Sequence, residues 1–230
     1  MVNYELVYYM CGQKFQRNDW DRTSVGIQRR PETVYSENGI PYFQGRHIIG
    51  RDRSVIGGVY LGANNREAIS VDIDPGKGYT KLRELYRQAK LAASIGDIVQ
   101  RNRVLPATYE AVNSAFKKKS ERAVNALLEK YGVGPDQKIA LDVFIAEGVG
   151  VCRHVSLTCA TLLEMFRQDG HIRGEISVDR NGTDAGAHAW CRYTSYSGEV
   201  VILDVMQGYF GTLKESTQKA YWDYFRPNDR

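Results

Sequence analysis

The spacing of apolar residues changes twice along this 230-residue chain, and those two changes limit its fold more than any other feature. Residues 24–79 read as short strands and turns, punctuated at Asn38-Gly39, Gly57-Gly58 and Pro75-Gly76. At Thr80 the spacing becomes helical. Thr80 is a fair cap, and Leu82, Leu85, Tyr86, Ala89 and Ala93 share one face until Gly96. A second helical pattern runs from about Thr108 to Gly132, with Val112, Phe116, Ala123, Leu127 and Tyr131 on one side. A third starts near Pro135 and turns Ile139, Ala140, Val143 and Phe144 inward. A glycine-hinged loop, Glu147–Val151, precedes a fourth helix beginning at Cys152, with the stripe Val155, Cys159, Leu162, Leu163 and Phe166 and a stop at Gly170. The period then falls to two. Glu175–Asp179 alternates, Asn181-Gly182 turns, and Ala187–Thr194 with Glu199–Met206 form a hairpin. Helices followed by an antiparallel sheet argue for the α+β class.

Composition supports one folded domain over residues 1–230, with 1–79 as a strand- and turn-rich extension and 80–230 as the helical region and core. At 43% hydrophobic and 25% charged, the chain is neither disordered, collagen-like nor a coiled coil. No run approaches the roughly 18 apolar residues of a membrane span. Residues 1–15 lack the basic start and long apolar stretch of a secretory signal, so the cytoplasm is the default address, with signal-independent export left open. The net charge of +4 is concentrated between Arg101 and Lys130. That stretch reads as a solvated helix face, with Lys117–Lys119 turned off the apolar stripe. No zinc-finger spacing or RNA-binding signature accompanies it, which argues against a nucleic-acid partner.

Four cysteines, Cys11, Cys152, Cys159 and Cys191, are expected as free thiols in a reducing compartment. Cys159 and Cys191 fit buried positions. Cys152 differs, because it opens a helix after Gly148-Val149-Gly150-Val151. Unpaired N–H groups and the helix dipole there favour a thiolate, and the glycines leave the approach to the sulfur free of side chains. His188 follows 36 residues later in a strand, and Asp204 another 16 on, inside Val200–Val205. An acid in so apolar a strand needs a partner. A five-residue loop, Thr194–Gly198, would set His188 directly opposite Asp204 with both side chains on one face; an even-length loop would separate them. Asp204 would then orient the imidazole and His188 would take the thiol proton.

The remaining histidines fit less well. His154 stands about 200° around the helix from Cys152 and points away from the sulfur. His47 and His171 lie in turn-rich or helix-terminal contexts. Cys152, His188 and Asp204 are conceivable zinc ligands by type, but no Cys-x-x-Cys or His-Glu-x-x-His spacing supports a metal site. Asp74–Gly78 lacks the upstream glycine of a phosphate loop, and Gly57–Gly62 lacks the dinucleotide pattern. Asp179–Gly182 lacks the glycine of a calcium loop at its sixth position. No cofactor is expected.

Gly150-Val151-Cys152-Arg153-His154, the apolar helix through Leu162-Leu163, His188-Ala189-Trp190 and Leu203-Asp204 together resemble the transglutaminase-like superfamily. The resemblance covers roughly residues 147–206. It implies a papain-like core of helices packed on an antiparallel sheet, with Cys152 as nucleophile at a helix N-terminus, His188 as general base and acid, and Asp204 as orienter. Trp190 matches the aromatic that follows the family's histidine. The chain departs from the family at Cys191-Arg192, at the aliphatic residues before Asp204, and at Ala146, six positions before Cys152, where a papain-like site has a glutamine. No second oxyanion donor is placed beside the Cys152 N–H. The implied activity is acyl transfer from a protein or peptide amide through a thioester, ending in transamidation, deamidation or hydrolysis. A cysteine peptidase on the same core and a catalytically silent protein-binding module are the alternatives. The strand-rich residues before Thr80 are expected to shape a substrate groove.

Overall fold

Residues 152–168 form a helix with almost no polar face toward water: every residue from Arg153 to Phe166 is buried. A helix covered all round lies at the centre of a domain rather than on its surface. The computed structural model describes residues 23–28, 30, 33–62, 67–135, 137–183, 186–220 and 222–229. In chain order these hold α1 (Thr23–Gln28), β1 (Val34–Glu37), β2 (Ile40–Phe43), β3 (Arg46–His47), β4 (Val59–Leu61), β5 (Ala68–Ser70) and α2 (Thr80–Ala93). There follow β6 (Ser94–Ile95), β7 (Ile98–Val99), α3 (Arg101–Ala115), α4 (Glu121–Lys130), β8 (Lys138–Ala140), α5 (Leu141–Glu147) and α6 (Cys152–Gln168). The chain ends in β9 (Gly174–Thr183), β10 (Gly186–Ser195), β11 (Val200–Asp204), β12 (Tyr209–Thr212) and α7 (Leu213–Lys219). The class is α+β, with seven α-helices and several small sheets among the described residues.

The largest sheet is antiparallel, in the order β12-β11-β10-β9. Helix α6 lies between this sheet and the helices α2, α3 and α5. Leu162, Leu163 and Phe166 share one apolar core with Leu82 and Ala89 of α2, Val112 of α3, and Val178, Cys191 and Leu203 of the sheet. Ile49, Val55, Tyr60, Ile69 and Val71 from the N-terminal half enter the same core. Glu164 explains how they are held. Its buried carboxylate accepts Ser54 Oγ at 2.8 Å, Val55 N at 2.9 Å and Ile56 N at 3.1 Å, tying that loop to the central helix.

Several elements differ from the periodicity reading, each because a distant partner intervenes. The helix expected from Thr108 to Gly132 is two helices. The chain leaves α3 at Phe116, pairs Lys118 with Val149 in a parallel bridge, and starts α4 where Ser120 Oγ accepts Ala123 N at 3.2 Å. The helix expected from Pro135 begins only at Leu141. Lys138–Ala140 is instead strand β8, drawn into a parallel pairing with β5. Thr80 does not cap α2. The Asp142 carboxylate does so from 60 residues away, accepting Leu82 N at 2.6 Å and Lys81 N at 3.1 Å. The N-terminal stretch also contains a helix, α1, beside its strands. Asn181-Gly182 is no turn: both residues belong to β9, where Asn181 pairs with His188.

The last pair of the β10–β11 ladder is Thr194 with Val200, so the expected five residues lie between the paired positions but run Ser195–Glu199, one position later than anticipated. Ser195 N on Glu199 O at 2.8 Å and Gly198 N on Ser195 O at 2.9 Å close it. Parity is preserved, so His188 and Asp204 stay on one face, but the register moves by two residues. Among the described residues, no helix is long and apolar enough to cross a membrane.

Candidate active site

Cys152 is the first residue of α6, following Val151 in extended conformation. The first N–H groups of a helix have no intrahelical acceptor. One nearby donor is satisfied locally, because Val151 N donates to His154 Nδ1 at 3.2 Å. The loop before Cys152 is held from below as well. A Cβ on Gly150 would sit 2.6 Å and 2.7 Å from Phe116 ring carbons, so this glycine admits the Phe116 ring rather than clearing the sulfur. Gly148 has a different role, ending α5 with a positive φ of 63°.

His188 and Asp204 meet this helix end from the sheet. His188 Nε2 donates to Asp204 Oδ2 at 2.5 Å, and both side chains are buried. With Nε2 engaged, Nδ1 is the ring nitrogen left for the sulfur. Burial raises the Cys152 thiol, but the hydrogen bond and charge of His188, the Arg153 charge and the Ala189 N–H outweigh it, and the net shift is downward. Burial lowers His188, and here Asp204 and the sulfur outweigh it, carrying the imidazole to about 10. Opposite shifts of this kind favour a thiolate beside an imidazolium. Cys152 is partly exposed. Cys159 and Cys191 are free and buried, and burial drives both thiols upward, away from reactivity. Cys11 lies outside the described residues.

The Asp204 carboxylate is fully engaged. Its Oδ1 accepts Met206 N and Gln207 N, each at 3.1 Å, which folds the chain back toward β12. Its Oδ2 accepts the Tyr224 hydroxyl at 2.8 Å in addition to His188. Trp190 is fully buried and stacks on His188 with ring centroids 6.0 Å apart. Trp222 meets the same imidazole edge-on at 5.0 Å and donates Nε1 to Asn181 Oδ1 at 2.8 Å. Tyr224, Trp222 and Asn181 were not foreseen from the sequence. The aromatic run Trp222-Asp223-Tyr224-Phe225 is the signal that could have drawn attention to the C-terminal segment.

A second buried cluster lies behind Cys152. Arg153 Nε donates to Glu67 Oε1 at 2.8 Å, and its terminal nitrogens grip both Glu121 oxygens at 2.8 and 3.2 Å. His154 points away from the sulfur, as its helix position requires. Its Nε2 lies 3.0 Å from Glu67 Oε1, and its ring packs on Phe144. Burial, aided by the Arg153 charge and opposed by Glu67, holds His154 at about 4, so its Nδ1 is free to accept from Val151. The neighbourhood of Cys152 thus contains one neutral and one protonated imidazole. Among the described residues, no group of three or more His, Cys, Asp or Glu side chains is arranged to hold a metal ion.

No family model, curated protein or solved structure matches this chain.

Proposed function

We propose that this chain is a transglutaminase-like cysteine enzyme with a papain-like Cys152-His188-Asp204 core, acting on amides of proteins or peptides. The observation that carries the reading is the His188 ring, bonded to Asp204 through Nε2 and paired with the Cys152 sulfur at a helix N-terminus. Thiolate Cys152 adds to a carboxamide or peptide carbonyl, and the Cys152 N–H at the helix start faces the developing oxyanion. The tetrahedral intermediate collapses as the C–N bond breaks and the His188 imidazolium gives its proton to the departing amine. A thioester remains. Water, losing a proton to His188, releases an acid; an amine losing its proton there instead gives a new amide.

The test needs no substrate. Alkylation of Cys152, followed by mass spectrometry across pH, should proceed well below the ordinary thiol value of about 8.5. His188→Ala should return it toward that value. Ordinary titration in both proteins would make Cys152 structural and leave a protein-binding module as the better description. With activation established, ammonia release from glutaminyl peptides distinguishes transamidation or deamidation from cleavage by a peptidase.

A further inference from the structure

Asp204 Oδ2 is shared between two donors, His188 Nε2 and the hydroxyl of a tyrosine from the last residues of the chain. We infer that Tyr224 is a positioning residue for the thiol chemistry, its hydroxyl holding Asp204 Oδ2 where it aligns the His188 imidazole. This rests on the reading of Cys152 as an activated nucleophile.

Tyr224 is fully buried, and its place is set from several sides. Its ring meets Trp190 edge-on at 5.2 Å and stacks on Tyr209 at 5.4 Å. The backbone that carries it is latched on the far side by two arginines. Arg226 donates Nε and a terminal nitrogen to Asp179, both at 2.7 Å, and also reaches Asp52. Arg192 of β10 forms a two-pronged pair with Asp229 at 2.7 and 2.8 Å. Two-pronged pairs fix direction as well as distance. The phenol therefore reaches Asp204 on a pinned segment. Its hydrogen bond reaches the oxygen that contacts His188, whereas Oδ1 is taken by the backbone turn.

The titratable groups facing Asp204 are His188 from β10, Tyr109 from α3, Cys159 from α6 and Tyr224 itself, with Tyr209 of β12 facing Tyr224. Burial and Asp204 push the Tyr224 phenol upward, so it remains a donor wherever the protein is folded. Tyr209 has a different hydrogen bond, from its hydroxyl to Thr212 O at 2.6 Å. It is therefore the matched control: the same lost hydroxyl in the same aromatic cluster, with no bond to Asp204.

The experiment measures the pH profile of Cys152 alkylation in wild type, Y224F, Y209F, D204N and H188A, with thermal melting of each as the check on folding. Y224F should move the thiol midpoint upward, in the direction of D204N, and slow alkylation at pH 7 about fivefold, the factor matching the net worth of one ordinary hydrogen bond. Y209F should lose comparable melting temperature while keeping the wild-type profile. A Y224F profile superimposed on wild type, or matched by Y209F, overturns the proposal and leaves Tyr224 a packing residue, provided H188A and D204N are displaced. If H188A also superimposes on wild type, the activated-cysteine reading fails, and the role of Tyr224 falls with it.

Discussion

His188 and Asp204 meet on the diagonal of the β10–β11 ladder. The pairing of Cys191 with Leu203 brings Trp190, not His188, level with Asp204, and the imidazole reaches along the strand to place Nε2 2.5 Å from Oδ2. Diagonal neighbours on one face of an antiparallel pair are within reach of long side chains. The directly opposed place goes to Trp190, whose stacked ring walls off one side of the imidazole. The diagonal contact leaves Nδ1 for the sulfur.

Acid should unfold this protein partly through the cluster behind Cys152. Burial first, then Arg153, depresses His154 from its ordinary 6.5 to about 4. The unfolded chain therefore binds a proton below pH 6.5 that the folded chain refuses, and stability present above 6.5 is lost as pH falls toward 4. Glu67 adds a second loss. Burial raises it, but His154 and Arg153 more than offset this and hold it at about 2, so its contribution disappears between about pH 4.5 and 2. Thermal melts should fall steadily from pH 6.5 to 4, by on the order of 3 kcal/mol in stability. His154→Gln should flatten the upper part of that slope, and a wild-type melting temperature equal at pH 6.5 and 4.5 would contradict the assignment.

Gly150→Ala should disturb the loop before Cys152 by crowding alone. Its Cβ would meet Phe116 Cε1 at 2.6 Å and His154 Cβ at 3.0 Å. Overpacking of this kind costs about 1–3 kcal/mol. Urea denaturation measures the loss, and Phe116→Leu added to Gly150→Ala should restore part of it. Full stability in the single variant would show that the ring moves aside freely.

Glu164→Gln removes the charge that three donors from residues 54–56 converge on. The amide retains one acceptor oxygen and turns an NH2 toward N–H groups. A loss of about 2–3 kcal/mol is expected. Hydrogen exchange should quicken first at Val55 and Ile56; unchanged protection there would assign their anchoring to another contact.

Cys159 and Cys191 should remain unmodified in the native protein under conditions that fully alkylate Cys152. Burial raises both thiols and also closes them to reagent. Peptide mapping after native and denaturing alkylation distinguishes the sites. Equal labelling of the three cysteines without denaturant would argue against the packing of α6 on β10.

Local spacing alone was enough to place the start of α6 at Cys152. The stripe Val155, Cys159, Leu162, Leu163 and Phe166 is buried, but so is every other residue from Arg153 to Phe166, so the helix is covered on more faces than its 3.6-residue period predicts. The odd number of residues between the last paired positions of β10 and β11 was equally legible, and alternation along a strand made it sufficient to keep His188 and Asp204 on one face. Tertiary contacts decided the rest. The two-residue register shift accompanies the way Ser195–Glu199 closes its own turn, and the break after α3 accompanies the pairing of Lys117 and Lys118 with Gly148 and Val149. Strand β8 exists because β5 offers it a partner 70 residues away in sequence. Asp142 caps α2, Glu164 holds residues 54–56, and Tyr224 reaches Asp204, each across tens of residues. Periodicity reports which side of an element is buried; which polar group waits there depends on elements that local sequence cannot see.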